Sequence, residues 1–88
     1  MRVKVTRMDI KDGRAKANEV RGCPICLALN RTLNVDEIEV PTRKIATLGK
    51  LKMSLPKKAV IFQDKLMDNQ DAEVKPFVFE TEIIAPDR

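Results

Sequence analysis

Histidine, tryptophan and tyrosine are absent from this 88-residue chain, and phenylalanine occurs only three times. Without histidine, and without a convincing serine nucleophile, the chain lacks the side chains that general acid–base and acyl-transfer catalysis most often use. We therefore expect a protein that is not an enzyme and that holds no cofactor. The shortage of aromatic rings also argues against a platform on which the bases of single-stranded nucleic acid would stack.

Long apolar runs are also missing. No stretch approaches the roughly 18 apolar residues that a membrane span requires. Residues 1–12 alternate charged with apolar side chains, which is unlike a signal peptide. Two closely spaced cysteines, Cys23 and Cys26, do not make the disulfide framework of a small secreted protein. The sequence therefore predicts a cytosolic protein without a membrane partner.

The composition predicts one small globular domain spanning residues 1–88. Hydrophobic residues make up 43% and charged residues 34% of the chain, as in an ordinary folded protein. Because aromatic residues are few, the core must be built from valine, isoleucine, leucine and methionine. A chain of this size buries little surface, so we expect modest stability and consider a homo-oligomer as a way of burying more.

Apolar periodicity predicts five short strands. Alternation of apolar and polar residues places them at 2–6, 37–40, 44–47, 50–54 and 77–83. The third and fourth strands are predicted to form a hairpin around Gly49. In the last strand, alternate residues from Phe77 to Ile83 are predicted to face inward, while Val78 and Ile84 leave the outer face partly apolar.

Two helices are predicted, each with a proline near its start. The first runs from Cys23 to Asn34, and the second begins at Pro56. Residues 8–19 are polar, and we expect a surface loop there. The element order β-α-β-β-β-α-β is typical of an α+β domain, with a small antiparallel or mixed sheet packed against two helices. The buried helical positions are predicted to be Ile25, Cys26, Leu29, Leu33, Ala59, Phe62 and Leu66.

The motif Cys23-Pro24-Ile25-Cys26 has the spacing of thiol-disulfide oxidoreductases, in which a helix N-terminus stabilises the first thiolate. Against a glutaredoxin-like fold, a long loop precedes the motif and the chain ends in a strand rather than a helix. The structural interpretation is that Cys23 caps the helix and Cys26 packs in the core. No metal site is predicted, because structural zinc is bound by four ligands and one chain offers only two cysteines and no histidine. Only a dimer could assemble four cysteines.

Positive charge is concentrated in one part of the chain. Residues 1–58 hold 14 Lys/Arg against 6 Asp/Glu, whereas residues 59–88 hold 3 against 7. Such asymmetry indicates a basic face that could meet nucleic acid, a nucleotide or an acidic protein, although lysines that only solvate the surface are the simpler interpretation. The candidate binding residues lie at the ends of predicted elements, and they are Arg21, Gly22, Cys23, Arg43, Lys44, Lys57 and Lys58.

A set of motifs occurs at residues 23–29, Leu55-Pro56, Phe62 and residues 76–80. Together they resemble a group of small uncharacterised proteins from tailed phages and their bacterial hosts. The shared features are a basic first strand, a Cys-Pro-(Ile/Val)-Ala-Leu-Ala-Leu helix, a Leu-Pro, a Phe-containing helix and a Pro-Phe-x-Phe-Glu strand. Cys26 departs from the pattern, which has alanine there. The resemblance implies only a phage-type accessory protein made in the host cytoplasm, and it supplies no biochemical function.

Three hypotheses about function remain open. The favoured one is a phage-type accessory protein that binds an anionic partner, which could be a nucleotide-like ligand, nucleic acid or an acidic host protein. The second is a thiol-disulfide redox protein that uses Cys23 and Cys26. The third is a small structural or assembly protein whose final strand pairs with a partner chain.

Overall fold

The computed structural model describes residues 1–42 and 44–84, and it confirms the α+β class. In this part of the chain three α-helices pack with two antiparallel sheets, one more helix and one more strand than predicted. The elements in chain order are β1 (Arg2–Val5), α1 (Arg7–Gly13), a 3-10 turn (Arg14–Lys16), α2 (Pro24–Leu33), β2 (Glu39–Thr42), β3 (Ile45–Leu48), β4 (Leu51–Ser54), α3 (Lys57–Asp68), β5 (Phe77–Glu80) and β6 (Glu82–Ile84).

A helix, α1, stands where a surface loop was predicted, and that prediction was wrong. Its start is fixed by a capping box: the Asp9 amide donates to the Thr6 hydroxyl over 3.2 Å, and the Thr6 amide donates to the Asp9 carboxylate over 2.9 Å. Asp9 and Ile10 are buried, because α1 packs against α2. The sequence signal was therefore the Thr6-x-x-Asp9 spacing within an otherwise polar segment.

Helix α2 begins and ends where predicted. Cys23 is the N-cap, Pro24 is the first helical residue, and Asn34 ends the helix in the left-handed conformation with φ 55°. The end of α1 packs directly on this start. A Cβ at Gly13 would lie 2.5 Å from the Pro24 nitrogen, so only glycine allows the two backbones to approach so closely.

The predicted hairpin is formed by β3 and β4, with Gly49 in its turn at φ +59°. Strand β2 starts two residues later than predicted and continues through Pro41, which is tolerated because β2 lies at the edge of its sheet. In α3 the predicted buried residues Ala59, Phe62 and Leu66 are buried.

The predicted last strand is divided between two sheets at Thr81. Upstream, β5 pairs with β1; downstream, β6 pairs with β4 at the edge of a sheet with the order β2-β3-β4-β6. The Thr81 amide donates to the Met1 carbonyl over 2.9 Å, and its hydroxyl donates to the Ser54 carbonyl. Ile83, predicted to face inward, is 57% exposed, because the core does not extend to this edge strand.

Among the residues that the structure describes, no helix has the length and the apolar character needed to cross a bilayer.

Candidate functional site

The start of α2 holds both cysteines in a closed environment. Their side chains are completely buried and both are thiols, with the two sulfurs 3.3 Å apart. The Cys23 sulfur accepts a long hydrogen bond of 3.5 Å from the Cys26 amide, and the Cys26 sulfur lies 3.3 Å from the Val20 carbonyl oxygen. The predicted burial of Cys26 is confirmed, and Cys23, the capping residue, is equally buried.

The two thiols have opposite pKa shifts. The hydrogen bond between the sulfurs lowers the pKa of Cys23, against the effect of its burial, and amides of the first helical turn lower it further. The same hydrogen bond, together with burial, raises the pKa of Cys26. The Cys23 sulfur therefore occupies the position at the N-terminus of α2 where an external anion would bind, and the Cys26 amide already points at it.

The other two predicted residues at this helix start have partners within the chain. The Arg21 guanidinium is exposed and donates to Glu39 over 3.0 Å. Gly22 has φ +82°, and a Cβ there would lie 2.7 Å from Cδ of Lys16, so the lysine stem covers the glycine. The structure brings Arg21, Gly22 and Cys23 together, but as a segment that is tied to β2 and to the 3-10 turn.

Of the remaining predicted residues, Lys44, Lys57 and Lys58 lie at or near the start of α3. Lys57 and Lys58 are exposed in its first turn, and the Lys44 carbonyl accepts a 2.8 Å hydrogen bond from the Leu55 amide just before the helix. The Lys58 ammonium donates to the Val78 carbonyl over 3.2 Å. Arg43 lies outside the described residues.

Lys58 also lines a cleft of about 490 Å³ between α3 and residues 73–77. Its floor is apolar, and the rings of Phe62 and Phe77 meet there with their centroids 4.8 Å apart. Two further lysines, Lys65 and Lys75, line the same cleft together with a single acidic residue, Glu73. The full lining consists of Lys58, Ile61, Phe62, Lys65, Glu73, Val74, Lys75, Pro76 and Phe77.

Two neighbouring clefts continue this cationic surface. Val74 also lines a cleft of about 310 Å³ whose other residues include three cations of α1 and the turn after it, namely Arg7, Lys11 and Arg14. Lys58 also lines a third cleft, of about 420 Å³, that includes Arg2 and one acidic residue, Glu80. We call these three adjoining clefts the cationic groove.

Among the cationic residues of the groove, only Lys58 was predicted from the sequence as a binding residue. Lys65 and Lys75 fall in the acidic part of the chain, and α1 was predicted as a loop. One local signal was present: Lys58, Ile61 and Lys65 are spaced i, i+3 and i+7, which places them on one face of α3.

No group of three or more cysteine, aspartate or glutamate side chains suited to a metal ion occurs within residues 1–42 and 44–84. Comparison of the chain with protein-family models, with curated proteins and with solved structures gives no match.

Proposed function

We propose that this protein is a non-enzymatic accessory protein that binds an acidic protein segment in the cationic groove. The observation that carries the proposal is an apolar cleft whose rim holds three lysines and one glutamate, and which continues into two further cation-lined clefts. The accessory role in a phage-infected cytoplasm rests on the sequence resemblance alone.

The floor of the main cleft favours a protein partner among the anionic candidates. Ile61 is 46% exposed on this floor, and covering such a side chain removes apolar surface from water at roughly 25 cal/mol per Å². Phe62 is buried and packs against Phe77, so it offers no open ring face on which a base could stack. A segment with apolar anchors between carboxylates would use both the floor and the rim.

Except for the half-buried Arg14, the cationic side chains of the groove are exposed, and this limits what each contributes to binding. Exposed ion pairs are individually weak and are screened by salt. Lys58 is the best placed of them, because its hydrogen bond to the Val78 carbonyl holds the ammonium at the junction of two clefts. Lys57 is the adjacent exposed lysine and lines none of the three clefts, so it offers a matched control.

The test is fluorescence anisotropy with three labelled probes: an all-glutamate peptide, a peptide of glutamates interrupted by leucines, and oligothymidylate. We expect the mixed peptide to bind most tightly, and to bind more weakly as salt is raised. Lys58→Gln and Lys65→Gln should each weaken binding about two- to fivefold, whereas Lys57→Gln should not. Tighter binding of oligothymidylate, or equal effects of Lys57→Gln and Lys58→Gln, would overturn the proposal.

A second function is supported by the geometry of the cysteine pair. The two sulfurs lie 3.3 Å apart at a helix N-terminus, so a small movement brings them within bonding distance of each other. Formation of the disulfide would transfer two protons and two electrons to a small-molecule disulfide, which would be reduced to two thiols. Complete burial of both sulfurs requires local opening first. Rapid loss of both thiols in glutathione disulfide, with a mass decrease of about 2 Da and no glutathione retained, would favour this function.

A further inference from the structure

Within the part of the chain that the structure describes, three of the four sheet edges each form a hydrogen bond with another segment of the chain. On β1 the Lys4 carbonyl accepts a hydrogen bond of 2.7 Å from Arg31, and on β5 the Val78 carbonyl accepts one of 3.2 Å from Lys58. On β2 the Val40 amide donates to the Val20 carbonyl over 2.7 Å. Contacts of this kind occupy edge groups and hinder the addition of another strand.

The fourth edge, β6, is different. Within residues 1–42 and 44–84 it pairs only with β4, and all three of its residues are exposed. Ile83 is 57% and Ile84 is 42% exposed, and Leu51 on the neighbouring strand is exposed as well. An open edge that carries two isoleucines and no lysine or proline is suited to pairing with another strand.

We propose that a second copy of this chain adds its β6 antiparallel to this edge, joining two four-stranded sheets into one of eight strands about a two-fold axis. This interface is independent of the cationic groove and goes beyond the proposed binding function. A two-fold contact requires a surface that complements itself, and the register of β6 has this property.

The self-complementarity can be followed residue by residue. With the axis at Ile83, each Ile83 meets its own counterpart on one face of the sheet, and Glu82 lies opposite Ile84 of the second copy on the other face. Lys52 on β4 already lies opposite Ile84. Glu82 of the second copy is therefore two strands from Lys52, or about 10 Å between backbones, which these two side chains can span. Symmetry creates this ion pair twice.

Sedimentation equilibrium of the full chain over a wide concentration range tests the proposal. We expect a monomer–dimer equilibrium and a melting temperature that rises with protein concentration. Ile83→Lys places two cations face to face at the axis and should raise the dimer dissociation constant at least about tenfold. Met8→Lys, at an exposed apolar residue of α1, is the control and should leave the constant unchanged.

A charge exchange gives a second test that does not depend on the isoleucines. Glu82→Lys should weaken the dimer, and the double variant Lys52→Glu/Glu82→Lys should restore it, with circular dichroism used to check that each variant is folded. A wild-type chain that stays monomeric, or a dimer unaffected by Ile83→Lys, would overturn the proposal. A monomer that instead pairs β6 with a strand of a different protein would overturn it too.

Discussion

Arg31 on α2 holds the buried carboxylate of Asp9 on α1 through two hydrogen bonds, of 2.6 and 2.8 Å. The two side chains differ in environment, since that of Asp9 is 5% exposed and that of Arg31 is 49% exposed. Arg31 also donates to the Lys4 carbonyl, so one guanidinium connects both helices to β1. Replacing Arg31 and replacing Asp9 should therefore change the stability of the fold by different amounts.

Removing Arg31 should destabilise the fold more than removing the charge of Asp9. Arg31→Leu leaves a buried carboxylate without its cation, and we expect the free energy of unfolding to fall by about 2–4 kcal/mol. Asp9→Asn leaves a solvated guanidinium and should cost about 1–2 kcal/mol. Urea unfolding at pH 7 measures both values. Equal stability of Arg31→Leu and the wild type would show that the pair contributes nothing.

The same pair predicts how stability depends on pH. Burial raises the pKa of Asp9, but hydrogen bonds from Arg31 and Thr6 outweigh burial and hold it below its usual range. A carboxyl whose pKa is lowered in the folded state makes its full contribution to folding stability at pH values above its pKa in the unfolded state, which is about 3.9. This contribution is lost as the pH falls through the folded value. Between pH 6 and pH 2 the wild type should therefore lose more stability than Asp9→Asn, and parallel losses would contradict this.

Two glycines should respond very differently to alanine. At Gly13 the new Cβ would meet backbone atoms of Cys23 and Pro24 at 2.8 and 2.5 Å, and these atoms cannot move without separating α1 from α2. We expect a loss of about 3 kcal/mol or more. At Gly49 nothing lies within 4 Å, so only its positive φ opposes alanine, at about 1 kcal/mol. Thermal melts that rank the two variants in the opposite order would contradict the packing of α1 on α2.

The cysteines give a prediction about reactivity. Iodoacetamide should modify the native protein slowly, because both sulfurs are completely buried. In Cys26→Ala the thiol that hydrogen-bonds to Cys23 is lost, so the pKa of Cys23 should rise relative to the wild type. The variant should lose about 1 kcal/mol of stability. Alkylation rates against pH measure the pKa of Cys23, and an unchanged value would show that the Cys26 hydrogen bond does not set it.

Elements with strong local signals could be predicted from the sequence. Proline and asparagine mark the ends of α2, and Gly49 marks the hairpin turn, since each acts through its own backbone. The features that were missed depend on distant residues. Burial of Asp9 requires Arg31, 22 residues away, and the break at Thr81 requires Met1 and Ser54. The cationic groove also depends on tertiary packing, because it combines α1, α3 and the segment between α3 and β5.

The pairing of β1 with β5 has a consequence for synthesis on the ribosome. Residues 2–5 emerge long before their partners, which are residues 77–80. The α1–α2 unit can associate early, because its contacts are close in sequence, whereas Val3 and Val5 stay unpaired until residues 77–80 have been translated. Such non-local pairing slows folding and prolongs exposure of an apolar strand. We therefore expect chaperones to bind the exposed β1 segment of the nascent chain until β5 is available to pair with it.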